Sequence, residues 1–127
     1  MDIREMEEDE IPGVIAFIQE IFPNADVEIQ EDDIVYIAEL KKEIVGFAHL
    51  RILNDKILLN GIGTKKGYRG KHIATQLLEF LVENIKDTPI FLKVKEHNFI
   101  AQHVYEKYGF LTKRYGDSHI LVKNPEN

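Results

Sequence analysis

The sequence predicts an α/β protein, one mixed, mostly antiparallel sheet flanked by helices, in the order β-α-βββ-α-β-α-ββ. Three observations predict it. Three β-like runs, Ile34–Leu40, Glu43–Leu53 and Lys56–Thr64, are joined only by Lys41-Lys42 and Asn54-Asp55, so neighbouring runs must pair as an antiparallel meander. A helical run follows, with Ile73, Leu77, Leu81 and Ile85 recurring every four residues and Leu78 beside them. Then Pro89–Glu96 alternates Ile90, Leu92 and Val94 against Lys93 and Lys95, which makes strand, helix and strand a crossover and implies parallel pairing with Lys56–Thr64.

The remaining segments complete this order. Asp2–Arg4 is a short extended start, and Ile11, Val14, Ile15, Ile18 and Phe22 line one face of a helix expected from Glu10 to Phe22. Asp9 is its expected N-cap, Pro12 fits its first turn, and Pro23 marks its end. Asn24–Asp33 is polar and acidic without apolar periodicity and reads as a connecting loop. Asn98 can cap a last helix that ends at Gly109, and Phe110–Lys113 with Ser118–Lys123 form a terminal hairpin. At 127 residues without repeats or a long linker, the expectation is one domain, 1–127, around one core.

Composition narrows the functional classes. Apolar residues are 44% and charged residues 30%, and the apolar runs fall short of a membrane span. Met1-Asp2-Ile3-Arg4-Glu5 lacks the basic end and apolar stretch of a signal peptide, so a cytoplasmic location with no membrane partner is expected. The absence of cysteine removes disulfides, thiolate nucleophiles and Cys-based zinc sites. A net charge of −6 opposes non-specific nucleic-acid binding, which depends on Lys and Arg meeting phosphates.

The chemistry concentrates in Lys65-Lys66-Gly67-Tyr68-Arg69-Gly70-Lys71-His72-Ile73-Ala74-Thr75, a basic, glycine-containing turn that leads from a strand into a helix. Free N–H groups and the helix dipole favour anions there, and Arg69 and Lys71 reinforce the field. Taken alone, the same residues also fit a tight turn with solvated side chains. Neither the Gly-x-x-x-x-Gly-Lys-Ser/Thr loop nor a Gly-x-Gly-x-x-Gly after a first strand is present.

Tyr68-Arg69-Gly70-Lys71-His72-Ile73-Ala74, with Leu77-Leu78, precedes Leu92-Lys93-Val94, Asn98, Ala101, Tyr105-Glu106-Lys107 and Gly109-Phe110. In this order and spacing the residues resemble the GNAT superfamily of N-acetyltransferases, over about Ile57 to Phe110. The first block is similar to the family's acyl-coenzyme A motif, Arg/Gln-x-x-Gly-x-Gly/Ala, with Arg69 first, Ala74 last and His72 in place of the central glycine. The resemblance implies acetyl-coenzyme A as acyl donor, its pyrophosphate on Arg69, Gly70, Lys71, His72, Ile73, Ala74 and Thr75. It implies a pantetheine arm along Ile62, Gly63 and Thr64, with that strand splayed from Leu92–Lys95, and contact between Asn98 and the coenzyme. A backbone N–H near Ile62 would polarise the thioester carbonyl, and Tyr105 would be the general acid for the departing thiolate. The implied reaction is acetyl transfer, by direct attack, to a primary amine of a small molecule or peptide.

The residues leave several points open. Glu96, Asn60 and His49 are each candidates for the base that deprotonates the amine, and His49 reads first as a buried structural histidine. His97, His103 and His119 match no metal-ligand spacing, and no metal is expected. Acceptor choice falls to the N-terminal helix, the acidic Asn24–Asp33 loop and the last hairpin. Other functions compatible with the residues are a non-catalytic coenzyme A-binding module and an interaction domain using Lys65–Lys71. An edge-strand homodimer is also compatible.

Overall fold

The computed structural model describes residues 1–126. Seven strands form one sheet in the order β1-β2-β3-β4-β5-β7-β6: β1 Asp2–Glu5, β2 Ile34–Leu40, β3 Glu43–Ile52, β4 Ile57–Thr64, β5 Ile90–Lys95, β6 Leu111–Arg114 and β7 Ser118–Lys123. Every neighbouring pair is antiparallel except β4 with β5, which the α2 crossover (Ile73–Asn84) makes parallel. The expected meander, crossover and hairpin are all present. β7 pairs with β5 along its whole length and leaves β6 at the edge.

The helix α1 spans Ile11–Ile21 and its entry differs from the expectation. Asp9 lies inside a 3₁₀ turn, Glu8–Glu10, and is exposed rather than capping the helix. The entry is fastened instead by Glu10, whose carboxylate accepts from the Glu7 N–H at 2.9 Å and from both terminal nitrogens of Arg4 at 2.7 and 2.8 Å. Arg4 also donates from Nε to Glu39 at 2.5 Å, so strands β1 and β2 are tied to the helix start. Two-point, charge-assisted bonds of this kind are among the stronger hydrogen bonds, and they hold a helix start that has no side-chain cap.

The alternation of side chains across the sheet sends Val35, Ile37 and Phe47 to one face, where they meet Val14, Phe17 and Ile18 of α1. Ala48, Leu50, Leu59 and Leu92 belong to the cluster that packs on Ile73, Leu77, Leu78 and Leu81 of α2. Gly46 permits the closest approach of α2: a Cβ there would lie 2.7 Å from Ile73 Cγ2 and 3.1 Å from Leu77 Cδ1. The first turn of α2 is therefore pressed onto β3, which fixes the loop that precedes it.

One irregularity shapes the functional face. Along the β3–β4 ladder His49 pairs with Gly61 and Leu50 with Leu59, so Asn60 is an extra residue, a β-bulge. The bulge bends β4, and its parallel pairing with β5 is confined to Ile57 with Ile90 and Leu58 with Phe91. Beyond Leu58 the two strands part.

Candidate active site

The parting of β4 from β5 opens a cleft of about 660 Å³. Its walls include Ile18 and Phe22 from the first helix, Phe47 and His49 from β3, Asn60 and Ile62 from β4, and Leu92 and Lys93 from β5. Tyr105, from helix α3 (Phe99–Lys107), lines the same cleft, as do Asp26 and Glu28 of the acidic loop. A second pocket of about 280 Å³ is lined by Thr64, Tyr68, Arg69, Gly70, His72, Ile73, Ala74 and Thr75. Thr64 and Ile62 are two positions apart on one strand. At about 3.3 Å of rise per residue, the two pockets are joined by a short stretch of β4 whose β5-facing side lacks a parallel partner.

The smaller pocket has the chemistry of an anion site. The first backbone bond of α2 runs from the Gln76 N–H to the His72 carbonyl at 3.0 Å, so the N–H groups of Ile73, Ala74 and Thr75 belong to the opening turn, where donors lack helical partners. The chain reaches that turn through positive φ at Gly67 (95°), Gly70 (82°) and His72 (62°). Glycine enters this region freely, whereas His72 holds a left-handed conformation that costs an L-residue about 1–2 kcal/mol. His72 therefore holds a backbone conformation that favours glycine, and adds an exposed imidazole to the pocket wall that Arg69 also lines.

Most residues singled out from the sequence fall on these two pockets. Arg69, Gly70, His72, Ile73, Ala74, Thr75 and Thr64 line the smaller one, and Ile62 and Tyr105 the larger. Lys71 lines neither: its ammonium stands 5.3 Å over the Tyr68 ring. Gly63 lies between the pockets, its α1 side filled by Phe22 and Phe47, which would stand 2.8 and 3.0 Å from an added Cβ. Asn98 also lies outside both linings, and its side-chain carbonyl accepts from the Ala101 N–H at 3.2 Å as the cap of α3. Glu96 is absent from both linings, while Asn60 and His49 stand in the larger.

Tyr105 is held half-buried, its ring edge-to-face on Phe110 with centroids 5.7 Å apart. Desolvation raises its pKa above the ordinary phenol value, because a buried phenolate loses water without gaining a counter-charge. The group stays protonated and can donate.

Sequence reasoning missed the partners of His49. Its Nε2 lies 2.7 Å from Oδ2 of Asp33, and the side chains are 5% and 2% exposed. Arg51 reaches the same carboxylate at 3.1 and 3.3 Å, and the Gln30 N–H donates to it at 2.9 Å. Burial alone would raise the Asp33 pKa, but the hydrogen bonds from Arg51, Gln30 and His49 outweigh it and hold the carboxylate below its usual range. The one available signal was the two-residue spacing of His49 and Arg51, which places both on one face of a strand.

The chain belongs to the acetyltransferase (GNAT) family, whose model matches residues 2–110, and membership indicates acyltransferase activity. No curated protein sequence matches it. Among solved structures, the ribosomal-protein-S18-alanine N-acetyltransferase of Escherichia coli superposes with a TM-score of 0.82 at 18% identity, over 99% of this chain and 96% of that one. The histone acetyltransferase HPA2 and related acetyltransferase of Corynebacterium glutamicum gives 0.81 at 16% identity, over 98% and 96%. The PaiA N-acetyltransferase of Thermoplasma acidophilum, solved in complex with coenzyme A, gives 0.73 at 20% identity, over 97% and 98%. These likenesses establish the fold.

Proposed function

We propose that the chain is a single N-acetyltransferase domain that moves an acetyl group from acetyl-coenzyme A to a primary amine of a small molecule or peptide. The observation that carries the reading is the alignment of the helix-start pocket with the β4–β5 cleft along one bulged strand. Donors that suit a pyrophosphate stand at one end and a phenol that keeps its proton at the other. A neighbour of the same fold is solved with coenzyme A, which supports the choice of donor.

Acetyl-coenzyme A supplies an activated thioester when bound. Toward it, the N–H groups of Ile73, Ala74 and Thr75, with Arg69 and His72, would hold the pyrophosphate, as helix starts hold anions. The free side of β4 from Ile62 to Thr64 would pair with the amide-bearing arm as an added strand does. A backbone N–H of that segment, near Ile62, would face the carbonyl oxygen where negative charge grows during attack. Asn98, with its carbonyl already accepting one bond in the cap, would offer its amide N–H groups to the coenzyme. Tyr105 would give its proton to the departing sulfur.

Asp26 and Glu28 stand in the wall of the cleft and favour a cationic acceptor. That is the charge state of a primary amine at neutral pH. Calorimetric titration with acetyl-coenzyme A, with dephospho-coenzyme A and ATP as controls, tests the donor. Saturable one-site binding is expected, and no binding would refute the transferase reading.

A further inference from the structure

Resting on the transferase reading, we propose that His49, oriented by Asp33, is the general base that takes the proton from the incoming ammonium. The geometry points to this role in three ways. Ionised Asp33 can only accept hydrogen bonds, so the 2.7 Å contact requires the proton of the neutral ring to sit on Nε2. The lone pair is then on Nδ1. That nitrogen is turned to the bulge in β4, where the Asn60 amide nitrogen stands 3.5 Å away, too far to engage the lone pair well. And His49, although only 4% exposed, stands in the wall of the cleft that Tyr105 also lines.

A histidine serving only the core would have both nitrogens well satisfied by its neighbours. Here one nitrogen is engaged tightly at 2.7 Å, and the other meets only the Asn60 amide at 3.5 Å, from a residue of the cleft wall. The orienting carboxylate is itself built in: Arg51 and the Gln30 N–H hold it, and Arg51 donates further to the Glu28 carbonyl at 2.9 Å. This is the arrangement of a carboxylate behind an imidazole that fixes tautomer and ring direction in hydrolases, with the two ring nitrogens exchanging places. The charged and titratable groups around His49 are Asp33 from the loop, Arg51 from its own strand, Asp26 and Glu28 from the acidic loop, Lys93 from β5 and Tyr105 from α3. The facing position on β2, Val35, is apolar.

The step balances. The ammonium loses one proton to Nδ1 of His49, and the free amine forms a C–N bond to the acetyl carbon as the C–S bond breaks. Sulfur takes the Tyr105 proton, and the second proton leaving nitrogen restores the phenol through solvent. His49 returns its proton to solvent, so amide, thiol and one proton are the products.

Two measurements on the full chain test the assignment. In ¹⁵N-histidine protein, with and without acetyl-coenzyme A, long-range ¹H–¹⁵N spectra should place the neutral His49 proton on Nε2. A proton on Nδ1 overturns the proposal. Release of coenzyme A thiol is then followed with spermidine, benzylamine and a tripeptide with an N-terminal alanine. His49→Gln should lower kcat/KM by about 10²–10⁴-fold and remove the acidic limb of its pH profile, with acetyl-coenzyme A affinity unchanged. Asp33→Asn should lower kcat/KM less and shift that limb, because it removes only the group that orients the ring. Calorimetry of acetyl-coenzyme A binding shows whether each variant is folded. Should one fail to fold, the tautomer of His49 in the unsubstituted protein decides: a proton on Nε2 supports the assignment and one on Nδ1 overturns it. Unchanged rates and an unchanged limb in His49→Gln overturn the base role. So does the turnover of none of the three amines by a protein that binds acetyl-coenzyme A. Failure to bind acetyl-coenzyme A would instead sink the transferase reading.

Discussion

The Tyr105 ring meets Phe110 edge-to-face, with centroids 5.7 Å apart and planes at 63°, so the α3–β6 junction holds the phenol from behind. Phe110 is fully buried, and the pair anchors a helix that has no fully buried residue of its own. Replacing Tyr105 with Phe keeps the ring contact and removes only the hydroxyl. Turnover should fall by about 10²–10⁴-fold, with acetyl-coenzyme A affinity and thermal midpoint little changed. Unchanged turnover would refute the general-acid role.

His72→Gly separates two effects of opposite sign. Relief of the left-handed backbone at φ 62° should raise stability by about 1 kcal/mol, partly offset by the added freedom of glycine in the unfolded chain. Loss of the imidazole removes one donor worth about 1 kcal/mol from the anion pocket, so acetyl-coenzyme A should bind about 5-fold more weakly. Paired melting and calorimetry read both. Tighter binding in His72→Gly would show that the imidazole crowds the phosphates.

The antiparallel meander, the parallel crossover, the terminal hairpin and the glycine-containing loop before α2 were legible because each is written in short-range patterns: two-residue connections, apolar periodicity, glycines before a helix. The charged clusters were not. Arg4, Glu10 and Glu39 come together only once β1 lies on β2, and their ion pairs, not the nearby Asp9, secure the start of α1. Likewise Asp33 reads as one acid among several in a polar loop until the fold lays it on His49, 16 positions away. The bulge at Asn60 leaves only a weak local trace, the strand glycine Gly61 that follows it, yet it frees the edge of β4. Pairing across long separations hides such relations from any window of the sequence.

The β2–β3 turn stores strain away from the site. Lys41 and Lys42 take φ of 53° and 66°, values that two-residue hairpins usually fill with Asn-Gly. Each non-glycine residue there costs about 1 kcal/mol or more. The double change Lys41→Asn and Lys42→Gly should therefore raise stability by about 1–2 kcal/mol, several degrees in thermal midpoint, without altering kcat or acetyl-coenzyme A affinity. A lowered midpoint would show that the lysine side chains contribute more than the backbone loses.

Stability should fall on acidification through two carboxylates. The Arg4 hydrogen bonds, the Glu7 N–H and the Arg4 charge, against a small opposing effect of burial, bring the Glu10 pKa down to about 2, and Asp33 is held below its usual range as well. A carboxyl group with a lower pKa in the folded state stabilises the protein above its unfolded pKa of about 4.5, and that contribution is lost as pH falls toward 2. Glu10 is partly exposed, so solvent screening limits its share to about 1 kcal/mol or less. Urea melts at pH 7, 4.5 and 3 should therefore show a midpoint that declines with acid. In Glu10→Gln the midpoint should be lower at pH 7 and the decline shallower, because the substituted amide no longer titrates while Asp33 continues to couple folding to protons. An equally steep acid limb in that variant would mean that the Arg4 pair is fully screened and contributes nothing to the pH dependence.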